Sequence, residues 1–393
     1  MRRILLPILT FLAAWTILAT GIHFLTQGNT LGTDFYIFYT AGRTAFIDHA
    51  DPYTDQQAQQ NQLAIFKRLA EPGEDQLGFA YPPYVLLAVW PLLRLSFAWA
   101  QAMWAAFLII GLVAAIILAF KGAPPWVNFS FLLFYPVTFG LILGNFSILM
   151  GGAILLIFGL SNREQLPNRS LQIIMGILLA WLTSKPQFVW LYVILFLVWG
   201  LKMRWWPLLA SFGASLLAFV ALSFIVVPGW PGLWLESLTK YAVYNQSWVI
   251  LAVLFKEILP PGVVTPVTLF LAALILAMTG WLFIQWWQGH LDSLLLLAWC
   301  GFVVFALHPR GKSYEHIVFL LPMVAWACRE KVLRSPAGLV FWLGSLIVSW
   351  AAFFISRQAG APSSATEWPL LFYAVWLGWM FLKKPTIMPE WSK

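Results

Sequence analysis

Between Ile258 and Leu291 the chain carries no Asp, Glu, Lys or Arg, and the same is true from Phe97 to Phe120 and from Trp205 to Leu235. Uncharged runs of this kind constrain the fold more than any other feature. Each is long enough to cross a bilayer, which takes about 20 residues as a helix. Inside lipid every backbone N–H and C=O must find a partner within the protein, so only helices or closed barrels can span it. Barrel strands alternate apolar and polar residues with period two, and these runs do not. Composition agrees: 61% of the 393 residues are hydrophobic, 10% are charged, and mean hydropathy is +0.81. Soluble chains run at about 45–50% apolar and about 25% charged, so the polar surface here is too small to cover a water-soluble core. The 24 Trp and 11 Tyr suit side chains at the two membrane interfaces. The expected fold is an all-α polytopic membrane protein, a single integral membrane domain over residues 1–393.

Met1-Arg2-Arg3 precedes an apolar run from Ile4 to Leu25 that is longer than the roughly 7–15-residue core of a signal peptide, with no small-residue cleavage pattern after it. It is expected to remain as the first span, with its N-terminus in the cytoplasm. Eleven further spans are expected near 97–120, 125–143, 146–160, 170–184, 187–201, 205–227, 263–287, 292–307, 314–328, 336–356 and 367–382, about twelve in all. Residues 170–201 alternatively form one helix broken at Lys185-Pro186, because proline interrupts the helical hydrogen-bond ladder. Two segments are expected outside the membrane, 27–96 and 228–262. In the first, Leu63, Phe66 and Leu69 suggest a short surface helix, and Val85 to Leu93 is too short to span. In the second, Trp230, Trp234, Tyr241, Tyr244 and Trp248 suggest another amphipathic surface helix.

Charge placement supports this topology. The cytoplasmic pieces would carry thirteen Lys and Arg against four acids, and the outer pieces ten against eleven, matching the chain's net charge of +8. Short basic loops on the cytoplasmic side are what the positive-inside rule requires. The expected location is therefore the cytoplasmic membrane, multi-pass, with both termini in the cytoplasm. Most of the acids fall outside, chiefly up to Asp75, so chemistry is to be sought there.

Several patterns bear on that chemistry. Ala306-Leu-His-Pro-Arg-Gly-Lys-Ser313 approximates a phosphate-binding P-loop, but Ala306 replaces the first glycine and the segment lies between two expected spans. A nucleotide role is dismissed. A loop with His308, Arg310, Lys312 and His316 at a membrane boundary still suits a phosphate, since Arg supplies a fork of donors and Lys a point charge; ordinary binding of lipid headgroups is the competing reading. The five His are scattered with no metal-binding spacing, and no metal or cofactor is expected. Cys300 and Cys328 lie in or at the end of apolar runs and are expected to be buried thiols. Four Asn-x-Ser matches, at Asn128, Asn145, Asn168 and Asn245, are taken as chance. Asp34, just past the first span and followed by Phe35, Tyr36, Phe38 and Tyr39, sits where partial desolvation would raise its basicity and suit a general base. The same position suits a helix N-cap.

Taken together, Thr33-Asp34-Phe35-Tyr36 with Tyr39, Ala41 and Gly42, then Asp51-Pro52-Tyr53, then Phe79-Ala80-Tyr81-Pro82-Pro83, resemble glycosyltransferase family 87. That family includes polyprenyl-phosphate-mannose-dependent mannosyltransferases of bacteria. Gly144-Asn145, Lys185-Pro186 and Ser313-Tyr314-Glu315-His316 extend the resemblance; Asn145 stands where the family usually has Gln.

The resemblance implies a GT-C fold, a bundle of about twelve transmembrane helices with outer-face amphipathic helices. It implies inverting transfer of one sugar, mannose in the named members, from a polyprenyl-phosphate donor to a hydroxyl of a lipid-linked or cell-envelope glycan acceptor. Asp34 matches the family's base. Asp51, Tyr81, Asn145, Lys185, His308, Arg310, Lys312, Tyr314 and His316 are then the candidate substrate-binding residues. Lys185, Arg310, Lys312 and His316 are candidates to meet the charge on the leaving phosphate. The expected partners are the donor, the acceptor and membrane lipids, with no nucleic acid. A lipid or solute transporter and a lipid-linked polysaccharide polymerase or ligase are the alternatives; the lack of an internal repeat counts against the first.

Overall fold

In a computed structural model, the described residues are 2–26, 29–119, 125–161, 167–244, 249–256, 258–309, 312–318, 335–358 and 368–382. They form sixteen α-helices. These are α1 (Arg2–Thr26), α2 (Thr33–Phe46), α3 (Asp55–Phe66), α4 (Phe97–Ala119), α5 (Pro125–Ser130), α6 (Tyr135–Leu143), α7 (Phe146–Ser161) and α8 (Arg169–Leu182). They continue as α9 (Pro186–Lys202), α10 (Trp206–Val226), α11 (Trp230–Tyr244), α12 (Ile250–Lys256), α13 (Pro261–Trp287), α14 (Ser293–Ala306), α15 (Pro336–Gln358) and α16 (Trp368–Leu382). Among the described residues there is no β-strand, only one isolated bridge between Val249 and Pro309. The all-α membrane class is as the uncharged runs require.

Five helices have the length and apolarity to cross a membrane: most of α1, α4, α10, α13 and most of α15. Five others, α7, α8, α9, α14 and α16, are apolar but shorter, at 10–17 residues. At 1.5 Å per residue the 14-residue α8 reaches only about 21 Å, short of a hydrocarbon core of about 30 Å. The expected span 125–143 is not one helix: α5 gives way to a 3-10 turn at Phe131–Leu133 before the 9-residue α6. Pro136 in the first turn of α6 sets this break. The expected span 314–328 begins instead as a 3-10 turn, Ser313–His316, and lies outside the described residues beyond Val318.

Helix directions follow from the contacts. The α1 indole Trp15 donates to Met103 O at 2.8 Å and His23 stacks on Trp99 at 3.9 Å, so α1 and α4 run antiparallel. Along α7, Gly152 lies beside Leu112 and Gly159 beside Ala119, so α7 runs parallel to α4. Leu208 of α10 lies against both Gly176 of α8 and Gly200 of α9, so the chain reverses between them and 170–201 is a hairpin. Pro186 opens α9, where its missing N–H costs nothing. At Gly176 a Cβ would sit 2.0 Å from Ser211 Oγ and 2.5 Å from Leu208 O, so only glycine lets α8 and α10 approach this closely.

The two segments expected outside the membrane pack on each other. Thr54 caps α3 by accepting from Gln57 N, and the buried Asn61 and Gln62 fasten it to the 76–77 backbone. Leu63 and Leu69 are both exposed, but the helix stops at Phe66, with Lys67 in the left-handed region, so Leu69 lies beyond it. Across from α3, Trp234 and Ser237 of α11 donate to Ala80 O and Phe79 O, and Lys240 pairs with Asp55 at 2.9 Å. Two short 3-10 turns, Pro83–Ala88 and Trp90–Leu92, joined at Val89, bury Val85, Leu86, Val89 and Leu92 in the protein core, which answers why that piece is apolar yet too short to span. Asn168, one of the Asn-x-Ser matches, is the N-cap of α8, accepting from Leu171 N. Cys300 is a buried free thiol; Cys328 lies outside the described residues.

Candidate active site

Four breaks in the helical chain meet at one end of the bundle: the start of α2, the α6–α7 tip, the α8–α9 tip and the segment after α14. Their floor is an aromatic layer. Phe35 stacks on Trp104 at 5.6 Å, Trp104 contacts Phe146 at 4.9 Å, Phe38 meets Phe146 at 4.2 Å, and Phe146 reaches Trp181 at 5.9 Å. Alternating helix faces thus send the aromatic residues into the core and the polar residues at the tips towards one another.

Asp34 is the second residue of α2. The cap position belongs to Gly32, whose extended backbone makes no side-chain cap bond, so Asp34 is not an N-cap. Its half-buried carboxylate accepts from Asn145 Nδ2 at 2.6 Å through Oδ2 and from Thr33 Oγ1 at 3.2 Å through Oδ1. Burial raises its pKa above the ordinary carboxylate value; the Asn145 hydrogen bond and the Lys185 charge pull against that rise, and the Asp75 charge adds to it.

Lys185, at the α8–α9 tip, is 3% exposed. It donates to Ser147 Oγ at 2.9 Å and is ion-paired with Glu315. The other Glu315 oxygen accepts from Lys312 N at 2.9 Å and lies 3.5 Å from His308 Nε2. His308 Nδ1 is 2.8 Å from Pro309 O, and burial holds its imidazole below the ordinary histidine pKa. Lys185 therefore enters the site already neutralised. Its ammonium also lies 5.9 Å from the Tyr314 ring. Burial, with smaller contributions from the Asp34 and Glu315 charges, holds the Tyr81 and Tyr314 phenols above the ordinary tyrosine pKa, so both stay protonated donors.

Of the candidate residues, the fold brings together Asp34, Tyr81, Asn145, Lys185, His308, Tyr314 and the backbone of Lys312. His316 turns into the core instead, its ring edge-on to Phe305 at 4.4 Å and 6.4 Å from Tyr373. Asp51 serves a local turn: Oδ1 accepts from Tyr53 N at 2.8 Å, and Tyr53 in turn donates to Tyr81 O at 2.6 Å. Asp51 thereby supports the Tyr81 backbone. Arg310 lies outside the described residues. Sequence reasoning missed Ser147, and it weighed Glu315 only as a weak metal ligand beside His316, not as the hub of the ion network. Glu315 lies within the Ser313–His316 motif, and an acid at the start of the apolar run from Ile317 is the signal that points to it. Among the described residues, no three His, Cys, Asp or Glu come together in a way that could hold a metal ion.

An all-α bundle of apolar helices with a buried acid, base and amide cluster at its helix breaks is a multi-pass membrane protein with an enclosed polar site. The model of glycosyltransferase family 87 matches residues 79–309, more than half of the sequence, and the chain belongs to that family. The matched region contains Tyr81, Asn145, Lys185 and His308; Asp34 lies before it and is bonded directly to Asn145 within it. No curated protein and no solved structure matches the chain.

Proposed function

We propose that this membrane glycosyltransferase is an inverting enzyme that moves a single sugar, mannose by its family resemblance, from a polyprenyl-phosphate donor. The acceptor is a hydroxyl of a lipid-linked or cell-envelope glycan at the outer face of the cytoplasmic membrane. The observation that carries this reading is Asp34: a carboxylate of raised basicity, anchored on one side by Asn145, at the convergence of four helix breaks. The acceptor oxygen attacks the anomeric carbon from the face opposite the phosphate. The carbon–oxygen bond to the phosphate breaks, its electron pair leaves with the polyprenyl phosphate, and the acceptor proton passes to Asp34. Raised basicity suits that transfer, because a base works best with its pKa nearer the operating pH.

The leaving phosphate gains charge, and fixed cations in a water-poor site stabilise it strongly. Arg310 and Lys312, on the segment after α14, fill this role. Lys185 instead holds Glu315, and through it the segment that carries Lys312. Tyr81 and Tyr314 flank the sugar. Both termini lie in the cytoplasm, as the charge balance of the loops indicates.

The test is an assay of membranes containing the protein with radiolabelled polyprenyl-phosphate sugars, followed by product and anomer analysis. Transfer with inversion supports the reading. Competition by diphosphate-linked oligosaccharides but not by polyprenyl-phosphate mannose would point to a polymerase or ligase instead, and movement of lipid without bond cleavage to a transporter.

A further inference from the structure

Asn145 is 3% exposed, and both ends of its amide are in use. Oδ1 accepts from Ser147 N at 2.7 Å, and Nδ2 donates to Asp34 Oδ2 at 2.6 Å. The first bond decides the second. A backbone N–H can only donate, so the amide oxygen must face Ser147 and the amide nitrogen must face Asp34. The backbone carrying the amide is equally fixed. Gly144 closes α6 in the left-handed region at φ +67°, and the Asn145 N–H donates back to Gly140 O at 2.9 Å. Trp104 Nε1 donates to Gly144 O at 2.8 Å. A Cβ on Gly144 would lie 2.7 Å from Phe35 Cβ, so the tip rests against the residue next to Asp34.

One N–H and one lone pair of the amide remain, but at 3% exposure they present almost no surface to a substrate. We propose that Asn145 is a positioning residue for Asp34: it fixes the orientation of the carboxylate and favours its ionised form, leaving the carboxylate's remaining lone pairs for the acceptor hydroxyl. This rests on Asp34 being the base. The physical need is plain, since burial disfavours a charged carboxylate and a donor aimed at it offsets that cost. The order of effects on Asp34 agrees: burial raises its pKa most, and the Asn145 bond is the largest opposing influence.

The experiment measures rates against pH with radiolabelled polyprenyl-phosphate mannose for the wild type, Asn145→Ala, Asn145→Gln and Asn145→Asp. Asn145→Ala is expected to lower kcat by about 10- to 150-fold, the equivalent of one hydrogen bond to a charged group, with KM little changed. Its acidic limb moves to higher pH, and part of the lost rate returns there. Asn145→Asp, equal in size but lacking the donor and adding a carboxylate, moves the limb further up and carries the test if the alanine variant does not fold. Asn145→Gln keeps the limb near that of the wild type. A raised KM at unchanged kcat, or a rate loss with an unmoved limb, overturns the proposal. Infrared difference titration of the purified protein, with Asp34→Asn as the blank, reads the Asp34 carboxyl without any donor. It is expected to titrate at higher pH in Asn145→Ala, and an unchanged titration overturns the proposal even if no donor has been found. Near-wild-type turnover in Asp34→Asn would instead remove the base reading itself.

Discussion

The Lys185 ammonium and the Glu315 carboxylate, 130 positions apart in the sequence, are ion-paired with each side chain only 3% exposed. Burial alone would push the Glu315 carboxyl up; the charges of Lys185 and His308 and the bonds from Lys185 Nζ and Lys312 N outweigh it and hold the group at about 2. Removing one partner strands the other charge in the interior, which costs roughly 3–5 kcal/mol. Lys185→Met and Glu315→Gln should each lower thermal stability in detergent by that order, and the double variant by less than their sum. The folded pKa of Glu315 lies below its ordinary 4.5, so the stabilisation is complete above about that pH and lost as pH falls towards about 2. Single variants that melt like the wild type would show that the pair contributes nothing.

Asp34→Asn keeps size and shape but cannot take the proton. Turnover should fall by at least ~10²-fold, the scale of general-base loss. Stability should move the other way. The folded pKa of Asp34 lies above 3.8, so the unfolded state loses this proton first, and the ionised carboxylate costs stability as pH rises past 3.8 through the folded value. The variant should therefore melt higher than the wild type near neutral pH, with the gain vanishing in acid. Turnover and melting curves on one preparation check both halves.

Arg310→Ala and Lys312→Ala should each weaken donor use by about 10- to 150-fold, the equivalent of roughly 1.5–3 kcal/mol for a bond to a charged group. Apparent donor affinity in both single variants and the double variant is the measurement. Values matching the wild type in all three would take this loop out of the donor site.

Residues 59 and 236 lie on α3 and α11, which the Lys240–Asp55 pair holds together. Cysteines placed at Gln59 and Glu236, both exposed, should label with the same sidedness, and from outside intact cells. Labelling of both only after permeabilisation would reverse the orientation drawn from loop charge; labelling of one alone would break the docking of the two segments.

Gly144→Ala should disturb the site from a distance. The added methyl meets Phe35 Cβ at 2.7 Å in a backbone region that L-residues rarely adopt, so the tip must shift and carry Asn145 away from Asp34. Reduced kcat with lower thermal stability is expected, measured beside Gly152→Ala, where a Cβ meets only ordinary contacts of 3.9 Å or more.

Membrane residence, helical class and the membership in glycosyltransferase family 87 were legible in the linear chain. Each rests on local composition or on short motifs: an uncharged run must be a helix in lipid whatever packs beside it. Asp34 was legible as a candidate too, but not whether it caps a helix, because residue type and position suit both a cap and a base. Only the tertiary structure separated them, by starting α2 at Thr33 with Gly32 as the cap. Packing also decided that 125–143 breaks, that 170–201 reverses, and that Lys185 is spent on Glu315 while Asn145 is spent on Asp34. The reason is physical. Hydropathy records how each residue partitions between water and lipid, one position at a time. The partner of a buried polar side chain depends on which helix ends meet, and here those ends lie 111 and 130 positions apart.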